Sequence, residues 1–322
     1  MVQPRYLLGV DGGGSRTRAV LARLDDDNNV EVLRRGVAGP GNPLLAGHRQ
    51  VRENLETATG QALAALPEQA PGIAYTVLAL AGASGEAEKA LINGWVDGHP
   101  LIHDFCLVPD WQPVLAAGTA DGVGIGLIAG TGSVAFGRSQ DGRIEKRGGW
   151  GHWFGDLGSG FDLGRQALTA IATAADGLTP ETMLTAPVLQ HLGADGPDQV
   201  TTILTRHDSP RRTIASLAPL VLEAAEIGDP AARAIRESGA RYLASLVATT
   251  VSALGLDEGY ALALAGSVIC KNTPYRNQVL DELARIGPVP GAINRVDEPV
   301  MGAITIARKA LHNTEHTWSH HA

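Results

Sequence analysis

Two glycine turns and two carboxylates hold most of the chemistry this chain of 322 residues can do. In "GVDGGGSRT" an apolar run from Tyr6 to Val10 ends in Asp11, and Gly12, Gly13, Gly14 and Ser15 follow, with Thr17 just beyond. In "AGTGS" a second apolar run leads into Gly130, Thr131, Gly132 and Ser133. Backbone N–H groups in a tight glycine turn converge on an anion when no Cβ blocks the approach. Two such turns, with hydroxyls at Ser15, Thr17, Thr131 and Ser133, suit one triphosphate; "DGGGS" alone would also suit a strained structural turn. No Gly-Lys-Ser/Thr follows the first turn and no helix opens there, so it is not a P-loop. Asp11, at the end of a strand, is badly placed for a core and well placed to hold Mg²⁺ or its waters beside phosphates. Asp110 lies between "FCLVP" and "WQPVLAAG". It can cap the helix that follows, or accept a hydroxyl proton while a γ-phosphate is attacked.

A third feature is "GGWGHWFGDLGSGFDLG", residues 148 to 164, where Trp150, His152, Trp153 and Phe154 gather although only 4% of the chain is aromatic. Flat ring faces with a carboxylate nearby, Asp156, suit a sugar, whose C–H faces stack and whose hydroxyls bond the acid. A glycine-packed core turn is the competing account.

These residues need strands to hold them. The opening reads as a meander, Tyr6 to Asp11, Thr17 to Leu24 and Val30 to Arg35, with "DDDNN" at residues 25 to 29 as a hairpin connection. Leu45 to Leu66 carries helical spacing, and "YTVLALAG" at residues 75 to 82 returns as a buried strand. Residues 122 to 148, "GVGIGLIAGTGSVAFGRSQDGRIEKRG", repeat the opening: strand, glycine turn, strand, polar turn, strand. Two pseudo-symmetric halves with a cleft between their glycine turns are expected. The second half is richer in helix. Asp229 is placed as N-cap and Pro230 as first residue of a helix with Ile235, Leu243, Leu246, Val247 and Leu254 on one stripe, stopped by Gly255. "YALALAGSV" is a strand broken at Gly266-Ser267, and residues 299 to 311 form an amphipathic helix. The tail, with four of the ten histidines, reads as a frayed polar terminus.

A net charge of −8 with pI near 5.7 gives no basic footprint, so nucleic acid and anionic membranes are poor partners. Cys106 and Cys270 sit beside apolar runs and read as small buried hydrophobes in a reducing compartment, too few for a cysteine metal cluster. No leader pattern and no 18-residue apolar span occurs, and a cytoplasmic protein is expected.

"DGGGSRT", "AGTGS", "GGWGH…GDLGSG", "LALAGSV" and "EPVMGAITIA", in this order, resemble the N-acetylglucosamine kinases of the BadF/BadG type, in the actin, heat-shock and sugar-kinase superfamily. The resemblance runs over nearly the whole chain. It implies an α/β fold of two actin-like (ribonuclease H-like) domains, residues 1–117 with 298–322 and residues 118–297, with ATP and an amino sugar in the cleft. It implies Asp110 as base and sugar ligand, Asp11 as Mg²⁺ partner, and phosphate on Gly12, Gly13, Gly14, Ser15, Thr17, Gly130, Thr131, Gly132 and Ser133. Gly266 and Ser267 would lie near adenine or ribose, and Asn42, Gly130, Thr131, Trp150 and Asp156 around the sugar. A homodimer is the expected assembly. Leu157 replaces an acid common in the family, and Trp111 stands where small residues are commoner. Glucosamine kinase is the nearest alternative; a dehydratase-activating ATPase lacks its cluster cysteines here, and a non-catalytic sugar sensor would have no use for Asp110.

Overall fold

The computed structural model describes residues 4–25 and 27–318, with side chains as far as Leu311. The chain forms two compact units, Met1–Gly122 with Glu298–Ala322, and Val123–Asp297.

In the first unit β1 (Arg5–Gly12), β2 (Thr17–Leu24) and β3 (Val30–Ala38) form the antiparallel meander, and β4 (Tyr75–Leu80) and β5 (Phe105–Val108) extend it in parallel, in the order β3-β2-β1-β4-β5. The region read as one helix from Leu45 is two, α1 (Pro43–Ala46) and α2 (His48–Leu63). Gly47 separates them at φ 79°, a left-handed conformation that cannot continue a helix. Helices α3 (Glu86–Asp97) and α4 (Gln112–Gly118) complete the first stretch.

The second unit repeats the plan. Strands β6 (Gly124–Ala129), β7 (Ser133–Arg138) and β8 (Ile144–Gly148) form a meander; β9 (Ala261–Ala265) and β10 (Ala292–Val296) join β6 in parallel, in the order β10-β9-β6-β7-β8. Counted within the unit, first, second, third, fourth and fifth strands neighbour one another as in the first sheet, as the repeat in the sequence predicts. Between β8 and β9 come α5 (Gly160–Ala175), α6 (Thr185–Leu192), α7 (Pro197–Arg206), α8 (Pro210–Ala215), α9 (Ala218–Glu226) and α10 (Pro230–Leu254); α11 (Ser267–Lys271) and α12 (Thr273–Ile286) lie between β9 and β10. Asp229 caps α10 by accepting from Ala232 N at 2.7 Å, Gly255 ends it at φ 62°, and the expected apolar stripe is buried.

α13 (Pro299–Trp318) closes the first unit. Val300, Ala303, Ile304 and Ala307 pack on Leu7, Val20, Ala22 and Val77 on one face of the sheet, while α2 and α3 cover the other. With helices on both faces, β1 is a nearly continuous apolar run, the pattern expected of a strand with no wet side. Gly302 lets α13 meet α4 backbone to backbone: a Cβ there would strike the Pro113 carbonyl. No helix among the described residues is long and apolar enough to cross a membrane. The histidine-rich tail lies outside the described side chains.

Candidate active site

Parallel strands β1, β4 and β5 end at the same edge of the first sheet, where α/β proteins place their ligands. Asp11 stands at the end of β1 and half-buried Asp110 two residues beyond β5. The Asp11 side chain is 13% exposed, and burial pushes its carboxyl up to about 7. Arg18, 3.8 Å away, opposes that shift, and the charge of Asp110 adds to it, so the two carboxylates feel one another.

Beyond Asp11 the turn from Gly13 to Arg16 is closed by Gly13 N donating to Arg16 O at 2.9 Å. A Cβ on Gly13 would meet nothing within 4 Å. Gly14 is exposed and Ser15 half-buried. Thr17, expected on phosphate, is fully buried, and its hydroxyl donates to Gly39 O at 2.9 Å. That bond, with Gly41 N on Gly13 O at 2.9 Å, leans the loop after β3 against the turn. The loop ends in Asn42, which caps α1 by accepting from Leu44 N at 3.0 Å and lies against Gly82, just past the end of β4. Trp111 is 9% exposed, so it is part of the packing at the start of α4 and not an open platform.

The second sheet repeats this arrangement with other residues. Gly130, Thr131 and Gly132 join β6 to β7, and Gly130 lies against Gly266 and Ser267, which link β9 to α11. α5 donates from Gly160 N to Gly130 O at 2.7 Å, so the turn's carbonyls are used inward. Ser133 stands where Thr17 stands in the first unit. It too is buried and donates to a carbonyl of the loop after the third strand, Leu157 O, at 2.8 Å. Asp156 is 3% exposed, accepts from Ser133 N at 3.2 Å and pairs with Arg211 at 2.8 Å. A Cβ on Gly132 would come within 2.8 Å of the Asp156 carboxylate. The hydroxyls of Thr17 and Ser133 and the carboxylate of Asp156, expected on ligands, are thus committed to internal bonds; Asp156 even adopts a left-handed φ of 58° to do so.

The tip of the same loop is open. Trp150 is 68% exposed, with Trp153 and Phe154 more so, and Gly155 backs onto the Trp150 Cβ. His152 stacks near Trp153 at 4.7 Å between ring centroids and meets Phe161 edge-on at 5.3 Å. Burial lowers the His152 pKa, the Arg211 charge adds to this, and the Asp156 charge opposes it. Leu157 is partly exposed, at 37%. Arg211, on α8, was not legible in the sequence; "SPRRT" offers two adjacent arginines and no sign of which one turns inward.

Among the described residues no group of three or more His, Cys, Asp or Glu side chains could hold a metal alone. Asp11 with Asp110 nearby nonetheless fits Mg²⁺, which takes one or two carboxylates and completes its shell with phosphates and water. A carboxyl whose charge is disfavoured by burial and by a second acid is what a divalent cation would relieve. Cys270, in α11, is buried as expected, with Sγ on Leu264 O at 3.3 Å, whereas Cys106 in β5 is only half-buried.

A family model for BadF/BadG/BcrA/BcrD ATPases matches residues 8–307. The chain belongs to this family. Within the BadF/BadG group it is 29% identical to the N-acetylmuramic acid/N-acetylglucosamine kinase of Clostridium acetobutylicum, over 94% of this chain and 98% of that one. It is 26% identical to the N-acetyl-D-glucosamine kinase of Dictyostelium discoideum, over 93% and 97%. Among solved structures, a Chromobacterium violaceum protein assigned as an N-acetylglucosamine kinase is 28% identical and superposes with a TM-score of 0.68, covering 94% of this chain and 99% of that one. Both sheets are thus those of actin-like sugar kinases of the BadF/BadG family.

Proposed function

We propose that this BadF/BadG-family protein transfers the γ-phosphoryl group of ATP to the 6-hydroxyl of an amino sugar, N-acetylglucosamine before others. The observation that carries the reading is the pair of coupled strand-end carboxylates, Asp11 and Asp110, beside a glycine turn whose Gly13 has open space around it. Asp110 accepts the proton as the sugar oxygen attacks the γ-phosphorus and the bond to the β-phosphate oxygen breaks, leaving ADP. Asp11 holds Mg²⁺, which neutralises phosphate charge when bound. Gly12 to Ser15, and Gly130 to Gly132, form the two turns that receive phosphate, the N–H groups of Gly13 and Gly130 closing the turns on Arg16 O and Gly132 O; Gly266 and Ser267 flank the adenosine; Asn42, Trp150 and the loop of Asp156 receive the sugar.

The acetylated substrate is favoured by the state of that loop. A free 2-amino group is cationic and asks for a carboxylate, but the loop's Asp156 already answers Arg211. An acetamido group asks for apolar surface, which Trp150, Trp153 and Phe154 present. With ATP as donor the enzyme works in the cytoplasm, and it does so as a homodimer.

ADP release coupled to a dehydrogenase, over N-acetylglucosamine, N-acetylmuramic acid, glucosamine, N-acetylmannosamine, N-acetylgalactosamine and glucose, tests the reading. N-acetylglucosamine should have the highest kcat/KM, and Asp110→Asn should lose ~10²-fold or more in kcat with KM values within a few-fold. Preference for glucosamine, or undiminished turnover in the Asn variant, would overturn it.

A further inference from the structure

The loop from Gly149 to Gly158 has an open tip and a fastened root, and the root is fastened to the β6–β7 turn. Three contacts make the joint: Ser133 Oγ on Leu157 O at 2.8 Å, Ser133 N on Asp156 Oδ1 at 3.2 Å, and the Asp156 carboxylate closed over the Cα of Gly132. On its other side the root is held by Tyr275, whose hydroxyl donates to Gly158 O at 2.8 Å, and by Gly239 of α10 in close contact with Gly158. A left-handed, non-glycine Asp156 persists only where its surroundings over-determine it. What over-determines the carboxylate is Arg211, 2.8 Å from Oδ2, on a helix whose neighbour Ile214 packs its backbone against Gly164 of α5. A carboxylate 3% exposed would be costly to bury without that guanidinium.

We infer that Arg211 is the positioning residue of this joint: by fixing the Asp156 carboxylate it couples the aromatic loop to the glycine turn, so that a sugar on the loop and a nucleotide phosphate on the turn strengthen one another's binding. The inference rests on the proposed function for the identity of the two ligands, though not for the existence of the joint. The Arg211 guanidinium is fastened to the root of the loop by the ion pair with Asp156, and its Nε is buried without a hydrogen-bond partner. Coupling of this kind is reciprocal: whatever factor the nucleotide adds to sugar affinity, the sugar must add to nucleotide affinity.

The test is calorimetric titration of N-acetylglucosamine with and without a non-hydrolysable ATP analogue and Mg²⁺, in the wild type, Arg211→Lys and Arg211→Ala. The analogue should tighten sugar binding in the wild type by roughly 5- to 100-fold, the usual span of such couplings. Lys should keep a measurable part of that factor, and Ala should bring it close to one while nucleotide affinity alone changes by less than about threefold. Equal coupling in all three proteins, or none in the wild type, would overturn the inference. Hydrogen exchange supplies a readout that needs no sugar: the analogue should slow exchange in residues 149–158 as well as 130–133 in the wild type, and only in 130–133 in Arg211→Ala. Loop protection that survives in Arg211→Ala overturns the joint. Should Arg211→Ala not fold, Ser133→Ala replaces it, and unchanged coupling there overturns the joint equally. If no amino sugar is phosphorylated, the function fails while the exchange result still decides the joint.

Discussion

At the end of β1, burial and the nearby Asp110 hold the Asp11 carboxyl near 7, against 3.8 for an ordinary aspartate. The native state therefore keeps a proton that the unfolded chain has lost between about pH 4 and pH 7, so stability falls as pH rises through that window and the loss is complete above it. Asn, which cannot ionise, removes the loss. In the absence of Mg²⁺, Asp11→Asn should raise Tm by on the order of 5 °C at pH 8 and by less at pH 5. Mg²⁺ with nucleotide should stabilise the wild type more than this variant. A Tm difference that does not depend on pH would mean that Asp11 is not held in its protonated form. The two glycine turns separate in a similar way. Gly13→Ala adds a methyl group to open space, so ATP affinity should drop with Tm within a degree or two of wild type. Gly132→Ala pushes into the Asp156 carboxylate and should lose stability as well, about 1 to 3 kcal/mol, read by thermal and urea unfolding.

On the scale of elements, the loop tip makes its own prediction. Trp150→Ala removes roughly 40 to 80 Å² of apolar contact with an acetamido sugar, about 1 to 2 kcal/mol at ~25 cal/mol per Å². The kcat/KM for N-acetylglucosamine should fall roughly 5- to 30-fold and that for glucose much less; a uniform fall would show that the ring only shapes the loop. That loop illustrates what the sequence does and does not disclose. The meanders, the repeat, the long helix from Pro230 and the returning helix from Pro299 were legible, because apolar period and capping residues are local. The edge strand β10, "AINRV", was not, since most of it is exposed and its pairing with β9 is all that makes it a strand. Thr17, Ser133 and Asp156 were legible as polar groups near a site but not as fastenings. Their partners, Gly39, Leu157 and Arg211, lie 22, 24 and 55 residues away, and only tertiary structure brings them together. The repeat did hold a clue: Thr17 and Ser133 open equivalent strands, and equivalent strands lead into equivalent loops.

For the molecule as a whole, the decisive feature is that the first unit takes its last helix from beyond the second. Gly302→Ala should drive α13 off the Pro113 carbonyl and destabilise the first unit by about 1 to 3 kcal/mol, seen as faster hydrogen exchange in β1 and β4 with the second unit unaffected. The same arrangement sets a timetable for synthesis. A ribosome that has finished β5 and α4 has made a sheet with Leu7, Val20, Ala22 and Val77 facing water, and it must read through residues 123–297 before their cover emerges. At about 5 to 20 residues per second that interval is roughly 9 to 35 s, long enough for an uncovered apolar face to be found by chaperones or by other nascent chains. The second unit, continuous in sequence, can close its own core while the first waits, so the half of the protein that is translated first is the half that matures last.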